Sequence, residues 1–256
     1  MNDNDFKSIA KEILKKLGLS AHEIPPKQGC EAPDFDVVGK SSRYTIELKI
    51  KSDDPEEAKK DLEILHKGEI LNKSTSIGPR NRLYAIVKKG VDQMVEHDPE
   101  IKTYHVLWIH SAGRDPNLLN IRFHATLFGN QYLISREKDY VMTCYFFNES
   151  AFYTHRTSLD GAILTHNDQL QLCVNALSPR KNDFRESDLY KSLSHCLYDP
   201  DTLQKDNSVM IADCDIDRKE KSEIIKYLEH KYSLAHLQVI EMKQYSGMVA
   251  IPKNDK

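Results

Sequence analysis

Pro33-Asp34-Phe35-Asp36-Val37-Val38, the turn Gly39-Lys40-Ser41-Ser42, then Arg43-Tyr44-Thr45-Ile46-Glu47-Leu48-Lys49-Ile50-Lys51: the fold turns on this stretch. Its second run alternates. Tyr44, Ile46, Leu48 and Ile50 fall on one face, Thr45, Glu47 and Lys49 on the other, because successive strand side chains point to opposite sides. The first set seeks a core. The second sets a carboxylate beside an ammonium. On the preceding run Asp34 and Asp36 share a face. The two runs and their turn predict a hairpin, and a hairpin lets Asp34, Glu47 and Lys49 converge at one point.

Upstream, Phe6, Ile9, Ala10, Ile13, Leu14 and Leu17 fall at helical spacing and Gly18 follows as a stop, which predicts a helix from about Asp5 to Leu17. Glu23 to Ala32, with Pro25 and Pro26, predicts a loop. Downstream, Asp54-Pro55-Glu56-Glu57 has a capping residue, a proline at the first helical position and acids near the positive end of the dipole. Leu83, Ile86, Val87, Val91, Met94 and Val95 predict a second helix, and Tyr104 to Ile109, apolar on both faces, a covered central strand. Past Gly113-Arg114-Asp115-Pro116-Asn117 the runs Ile121 to Phe128, Tyr140 to Phe147 and Leu170 to Val174 read as short strands. Val209 to Ala212, Lys219 to Tyr232 and Leu237 to Met242 read as a closing strand, helix and strand. The expected fold class is α/β. A soft boundary near 113–120 divides a core, residues 1–115, from a β-rich α+β second half, residues 116–256.

The net charge of −3 supplies no whole-protein positive field, so phosphate binding must come from local patches or bound metal. Cys30, Cys144, Cys173, Cys196 and Cys214 are odd in number and never form C-x-x-C, the usage of a reducing compartment. The acidic start Met1-Asn2-Asp3-Asn4-Asp5 is unlike a signal peptide, and no apolar run approaches the ~20 residues of a membrane span. A cytoplasmic protein with no membrane partner is expected. The eleven histidines form no H-x-x-x-H with a glutamate, and no G-x-x-x-x-G-K-[ST] or G-x-G-x-x-G occurs, which removes zinc-protease and nucleotide-hydrolysing readings. Asp213, Asp215 and Asp217 imitate a calcium loop, but Arg218 and Ile224 stand where glycine and glutamate are needed; Asp217 is expected to cap a helix instead. Trp108, mid-strand, is expected in the core.

Two carboxylates and a lysine suit phosphodiester hydrolysis. Mg²⁺ takes hard oxygen ligands, one or two carboxylates with several waters, and a nearby lysine orients the attacking water or neutralises charge growing on the phosphate. Pro33-Asp34, twelve intervening positions and Glu47-Leu48-Lys49 resemble the PD-(D/E)xK nuclease superfamily, which includes many restriction and repair endonucleases. The resemblance covers about residues 5–112. It implies a restriction-endonuclease-like core, a mixed sheet flanked by helices, with Asp34, Glu47 and Lys49 as catalytic residues and Asp34 and Glu47 holding Mg²⁺ or Mn²⁺. It also implies a nuclease, an endonuclease for choice, acting on DNA before RNA, and a role in antiviral defence against foreign DNA. One departure stands out. Many members add a glutamate from the first helix, whereas Glu12 projects away from the apolar stripe.

Lys67, Lys73, Arg80, Arg82, Lys88 and Lys89 face a single acid, Glu69, between residues 67 and 89. The loop Lys73 to Arg80 offers hydroxyls, N–H groups and cations suited to phosphate, so Lys73, Arg80 and Arg82 are candidate nucleic-acid contacts; the plain alternative is a solvated loop and helix face. Two other readings of the whole stay open. In one the chain is a non-catalytic binding module of the same fold, whose Asp34 and Glu47 cap or pair with Lys49; in the other it is a protein-interaction subunit. For the strand alone, the plain alternative is that Glu47 and Lys49 are the wet face of a two-sided hairpin strand. Residues 116–256 are expected to serve target selection, partner binding or homodimer formation.

Overall fold

Phe6, Ala10 and Leu14 lie along one face of the first helix, α1 (Asp3–Lys16), and are buried. Gly18, at φ 78°, then reverses the chain, with its N–H and that of Leu19 bonded to the Lys15 and Leu14 carbonyls. A left-handed residue after a helix favours glycine. The computed structural model describes residues 3–25, 31–52, 54–76, 78–204, 209–241 and 244–249.

Next come β1 (Ser20–Glu23), β2 (Phe35–Val38) and β3 (Arg43–Lys51), antiparallel in that order. The expected hairpin is therefore β2–β3, with β1 added outside it. Of the expected loop, Glu23 belongs to β1 and Pro26 to Cys30 lie outside the described residues. α2 (Pro55–His66) starts at the expected signal, where Asp54 Oδ1 accepts from the Glu56 N–H at 3.0 Å. β4 (Leu71–Ser76), α3 (Asn81–His97) and β5 (Tyr104–Ser111) follow. β5 lies parallel beside β3 in the register Glu47↔Leu107.

The chain continues through α4 (Pro116–Phe128), β6 (Gln131–Ile134), β7 (Met142–Tyr145), α5 (Ala151–Thr154), β8 (Gly161–His166) and β9 (Gln169–Val174). Then come α6 (Lys181–Arg185), α7 (Asp188–Ser192), β10 (Leu197–Tyr198), α8 (Pro200–Leu203) and β11 (Val209–Ile211). It closes with α9 (Lys221–Tyr232), β12 (Gln238–Ile240) and β13 (Gln244–Val249). The result is a mixed α/β protein. A seven-stranded mixed sheet runs β1-β2-β3-β5-β8-β9-β10, a four-stranded sheet runs β11-β7-β6-β12, and β4 pairs with β13.

Helices cover both faces of the larger sheet, as sheets with parallel neighbours require. On one face Phe6, Leu14, Tyr44, Ile46, Trp108, Ile163 and Phe184 form a core. On the other, Val87, Val91 and Met94 of α3 and Phe123 and Leu127 of α4 pack on Leu107, Ile109 and Leu164. Trp108 is fully buried, edge-on to Phe6, and donates from Nε1 to Thr165 Oγ1 at 3.2 Å. It is a core residue, as expected. The smaller sheet has its own core, in which Ile224 and Leu228 of α9 meet Met142, Cys144 and Met210.

Several sequence expectations need correction. Ile121 to Phe128 is helical, the second half of α4. Asp115 caps that helix by accepting from the Leu118 N–H, Pro116 is its first residue, and Gly129 ends it at φ 55°. Burial all round its C-terminal half replaced the helical alternation with a continuous apolar run that imitates a strand. The loop expected over Lys73 to Arg80 is in part strand β4, whose partner β13 lies far along the chain. Strands on both sides of 115/116 pair in one sheet, since β8 lies against β5 from Val106↔Gly161 to His110↔Thr165. Asp217 accepts from the Lys219 N–H in a turn ahead of α9 rather than capping that helix, and Asp213 is held by Tyr227 and Lys231. No helix among the described residues is long and apolar enough to cross a membrane.

Candidate active site

The β2–β3 register sets Phe35 opposite Ile46 and Asp36 opposite Thr45. One step further along, Asp34 falls opposite Glu47, and its Oδ2 accepts from the Leu48 N–H at 2.8 Å. Glu47 is only 3% exposed. The face that carries it is not wet. α3 lies across it, and the reason is Gly90: a Cβ there would stand 2.5 Å from Leu107 Cδ1 and 3.3 Å from Glu47 Cγ. Glycine lets the helix backbone approach a buried charged pair that any larger side chain would push away. The plain reading of Glu47 and Lys49 as a solvated strand face therefore fails, because β3 is an interior strand covered on both sides.

Asp34, Glu47 and Lys49, expected to converge, do so. Lys49 Nζ donates to Glu47 Oε1 and, at 2.6 Å, to Gln93 Oε1 of α3. Two residues not anticipated complete the cluster. Lys7 of α1 pairs with Asp34 Oδ1 at 2.5 Å, and that partnership raises its pKa. Gln93 fixes the Lys49 ammonium from above. A first helix that supplies a lysine here reverses the charge of the glutamate many PD-(D/E)xK nucleases are expected to supply. Glu12 has no part in the cluster.

The electrostatics single out Glu47. Burial pushes its pKa up to about 7, and the Asp34 carboxylate adds to the effect, while Lys49 offsets part of it. Apart from the Asp34 carboxylate beside it, its Oε2 is buried without a hydrogen-bond partner. An orphaned carboxylate oxygen next to a second carboxylate has the donor set of a hard cation. Among the described residues no group of three or more His, Cys, Asp or Glu side chains is placed to hold a metal ion; Asp34 and Glu47 are two carboxylates side by side, with Asp34 Oδ1 on Lys7, Asp34 Oδ2 on the Leu48 N–H and Glu47 Oε1 on Lys49. Mg²⁺ commonly binds in this way and keeps its remaining waters. The residues fit the ion.

No family model, curated protein or solved structure matches the chain.

The basic stretch is less unified than the sequence suggested. Arg82 is exposed on α3, and the Arg80 backbone N–H reaches Thr126 Oγ1 at 3.4 Å, which ties the start of α3 to α4. Lys88 pairs with Asp92, and Lys89 reaches across to Glu31, just ahead of Asp34. The Lys73 side chain lies outside the described residues. Of the missed residues, Gly90 carried a legible signal, a glycine inside a helical pattern. Lys7 and Gln93 carried none, because polar residues flanking an apolar stripe are the ordinary dress of a helix.

Proposed function

We propose that the protein is a metal-dependent nuclease, of the restriction-endonuclease-like class, that hydrolyses phosphodiester bonds in nucleic acid, DNA ahead of RNA. The observation that carries this reading is the buried Asp34–Glu47 pair with an unpartnered oxygen and Lys49 held beside it. The order α1, antiparallel β1–β2–β3, then α2, β4 and α3, and β5 parallel beside β3 supports it too, since the PD-(D/E)xK resemblance implies a mixed sheet flanked by helices. Asp34 and Glu47 would hold Mg²⁺ or Mn²⁺. Such an ion supplies polarisation of the phosphoryl oxygen and a lowered pKa for a bound water. Lys49, fixed by Glu47 and Gln93, presents a positive charge where the nucleophile and the phosphate must meet. Lys7 keeps Asp34 oriented and moderates the repulsion between the carboxylates. Defence against foreign DNA is the proposed setting, with residues 116–256 serving target selection, a partner or dimer formation.

The test is incubation of pure protein with linear, supercoiled and single-stranded DNA and with RNA, in Mg²⁺ or Mn²⁺ against EDTA. Metal-dependent cleavage of at least one of them is expected; no cleavage of any would count against the reading. One observation favours a non-catalytic module of this fold: each carboxylate already has a lysine partner, Lys7 on Asp34 and Lys49 on Glu47. Metal-induced stabilisation separates the two. The enzyme needs it; a closed ion-pair network does not.

A further inference from the structure

Between α4, strands β6 and β7 and the Gly78-Pro79 segment ahead of α3 lies a cavity of about 310 Å³. No charged side chain appears among the described residues lining it. Three side-chain atoms on those residues, Asn120 Oδ1, His124 Nε2 and Asn130 Oδ1, are buried without a hydrogen-bond partner. Unmatched buried polar atoms are unfavourable and call for an explanation, and a ligand is one. Burial lowers the His124 pKa to about 4, so its ring is neutral at neutral pH, and it packs edge-on to Tyr198 at 4.2 Å. The Tyr145 and Tyr198 hydroxyls bond to one another. Two hydroxyls share one such bond, which leaves one O–H of the pair to donate elsewhere.

We infer that this cavity receives a single unstacked nucleobase. A wall without charge disfavours a phosphate or carboxylate. Amide oxygens, an imidazole nitrogen and a phenol supply both acceptors and donors for a base edge, and aromatic rings supply stacking surface, the combination by which extruded bases are held. The volume lies at the lower end of the ~300–1,000 Å³ typical of small-molecule sites, room for one heterocycle. The Gly78-Pro79 wall leads in the chain to α3, on whose first turn Arg82 is exposed. From Asn81 to Gln93 α3 then spans about 18 Å, or about five base steps of one strand. The base is thus bound some way from the scissile phosphate, as a recognition contact. This inference rests on nucleic acid being the substrate proposed above.

The test uses the full chain in EDTA. In one arm adenosine, cytidine, guanosine and thymidine are titrated by calorimetry. In the other, single-stranded and duplex DNA each carry one 2-aminopurine, whose emission reports loss of stacking; the two arms distinguish a free nucleoside from a base within a strand. At least one arm should give saturable binding. The double variant Asn120→Ala/Asn130→Ala should weaken it about tenfold. Ile121→Trp, substituted at the partly exposed rim, should block it, with near-ultraviolet circular dichroism confirming the fold. Binding that both folded variants retain at wild-type strength would overturn the inference, as would the absence of a response in both arms. Cleavage of DNA without either response keeps the nuclease and removes the pocket. Nucleoside binding blocked by Ile121→Trp in a protein that cleaves nothing keeps the pocket and removes the nuclease.

Discussion

Glu47 is a carboxylate in surroundings that oppose its charge, and this makes a prediction with a definite sign. Its folded pKa of about 7 lies above the ordinary 4.5. Between those values the folded chain holds a proton that the unfolded chain has released, so folding stability falls as pH rises through the window. The penalty is complete above about 7. Glu47→Gln removes the titration. In EDTA, the melting temperature of wild type minus that of the variant should therefore drop from pH 4.5 to 7, and a difference that stays flat would show that Glu47 is not strained. At this scale the sequence was informative about Asp34, Glu47 and Lys49, because strand alternation is local. It was silent on Lys7 and Gln93, whose roles depend on how α1 and α3 are docked. Nor could it show that α3 covers Glu47, because one run of residues does not reveal what lies over it.

α3 is the element on which the site depends. Gly90→Ala adds helix propensity worth about 0.5–1 kcal/mol, yet its new methyl meets the buried Leu107 side chain. Overpacking of this kind costs roughly 1–3 kcal/mol, so the variant should unfold about 1 kcal/mol more easily in urea and lose part of any metal-induced stabilisation. A variant more stable than wild type would show that α3 does not sit this close to Glu47. The N-terminal end of α3 carries the second prediction. Arg80→Ala with Arg82→Ala should weaken DNA binding and reduce the slope of log affinity against log salt by about 0.9 per lost phosphate contact. Affinities unchanged at two salt concentrations would make these arginines solvated surface. The same scale explains the misread α4. Its start and stop signals, Asp115-Pro116 and Gly129, were present, but a helix buried on all sides hides its period. β4 was missed for a different reason: its pairing partner is remote in sequence.

For the molecule as a whole, metal binding should be visible without any substrate. Two carboxylates at ~4 Å repel by roughly 4 kcal/mol at an effective dielectric near 20, and a divalent cation bound only by the folded state relieves that repulsion. At a hundred times its dissociation constant the ion adds about 2.7 kcal/mol, a melting shift of roughly 5–11 °C for a chain of this size. Asp34→Ala should lose most of the shift, and a wild-type protein indifferent to both metals would favour the non-catalytic module. The larger sheet was half legible. β2, β3, β5 and β9 could be read as strands and β1, β8 and β10 could not, and β8, β9 and β10 join the sheet through contacts that cross the expected division at 115/116. The most direct test of the whole account compares wild type with Lys49→Ala on the nucleic acid that the wild type cleaves best, in Mn²⁺. Lys49 is partly exposed and its ammonium bonds to the Glu47 and Gln93 side chains, so the variant should fold, as circular dichroism can verify, and bind DNA. Its cleavage rate should fall by about 10²–10³, the loss expected when a preorganised charge that stabilises the transition state is removed; a rate close to that of the wild type would contradict the assignment of Asp34, Glu47 and Lys49 as the catalytic centre.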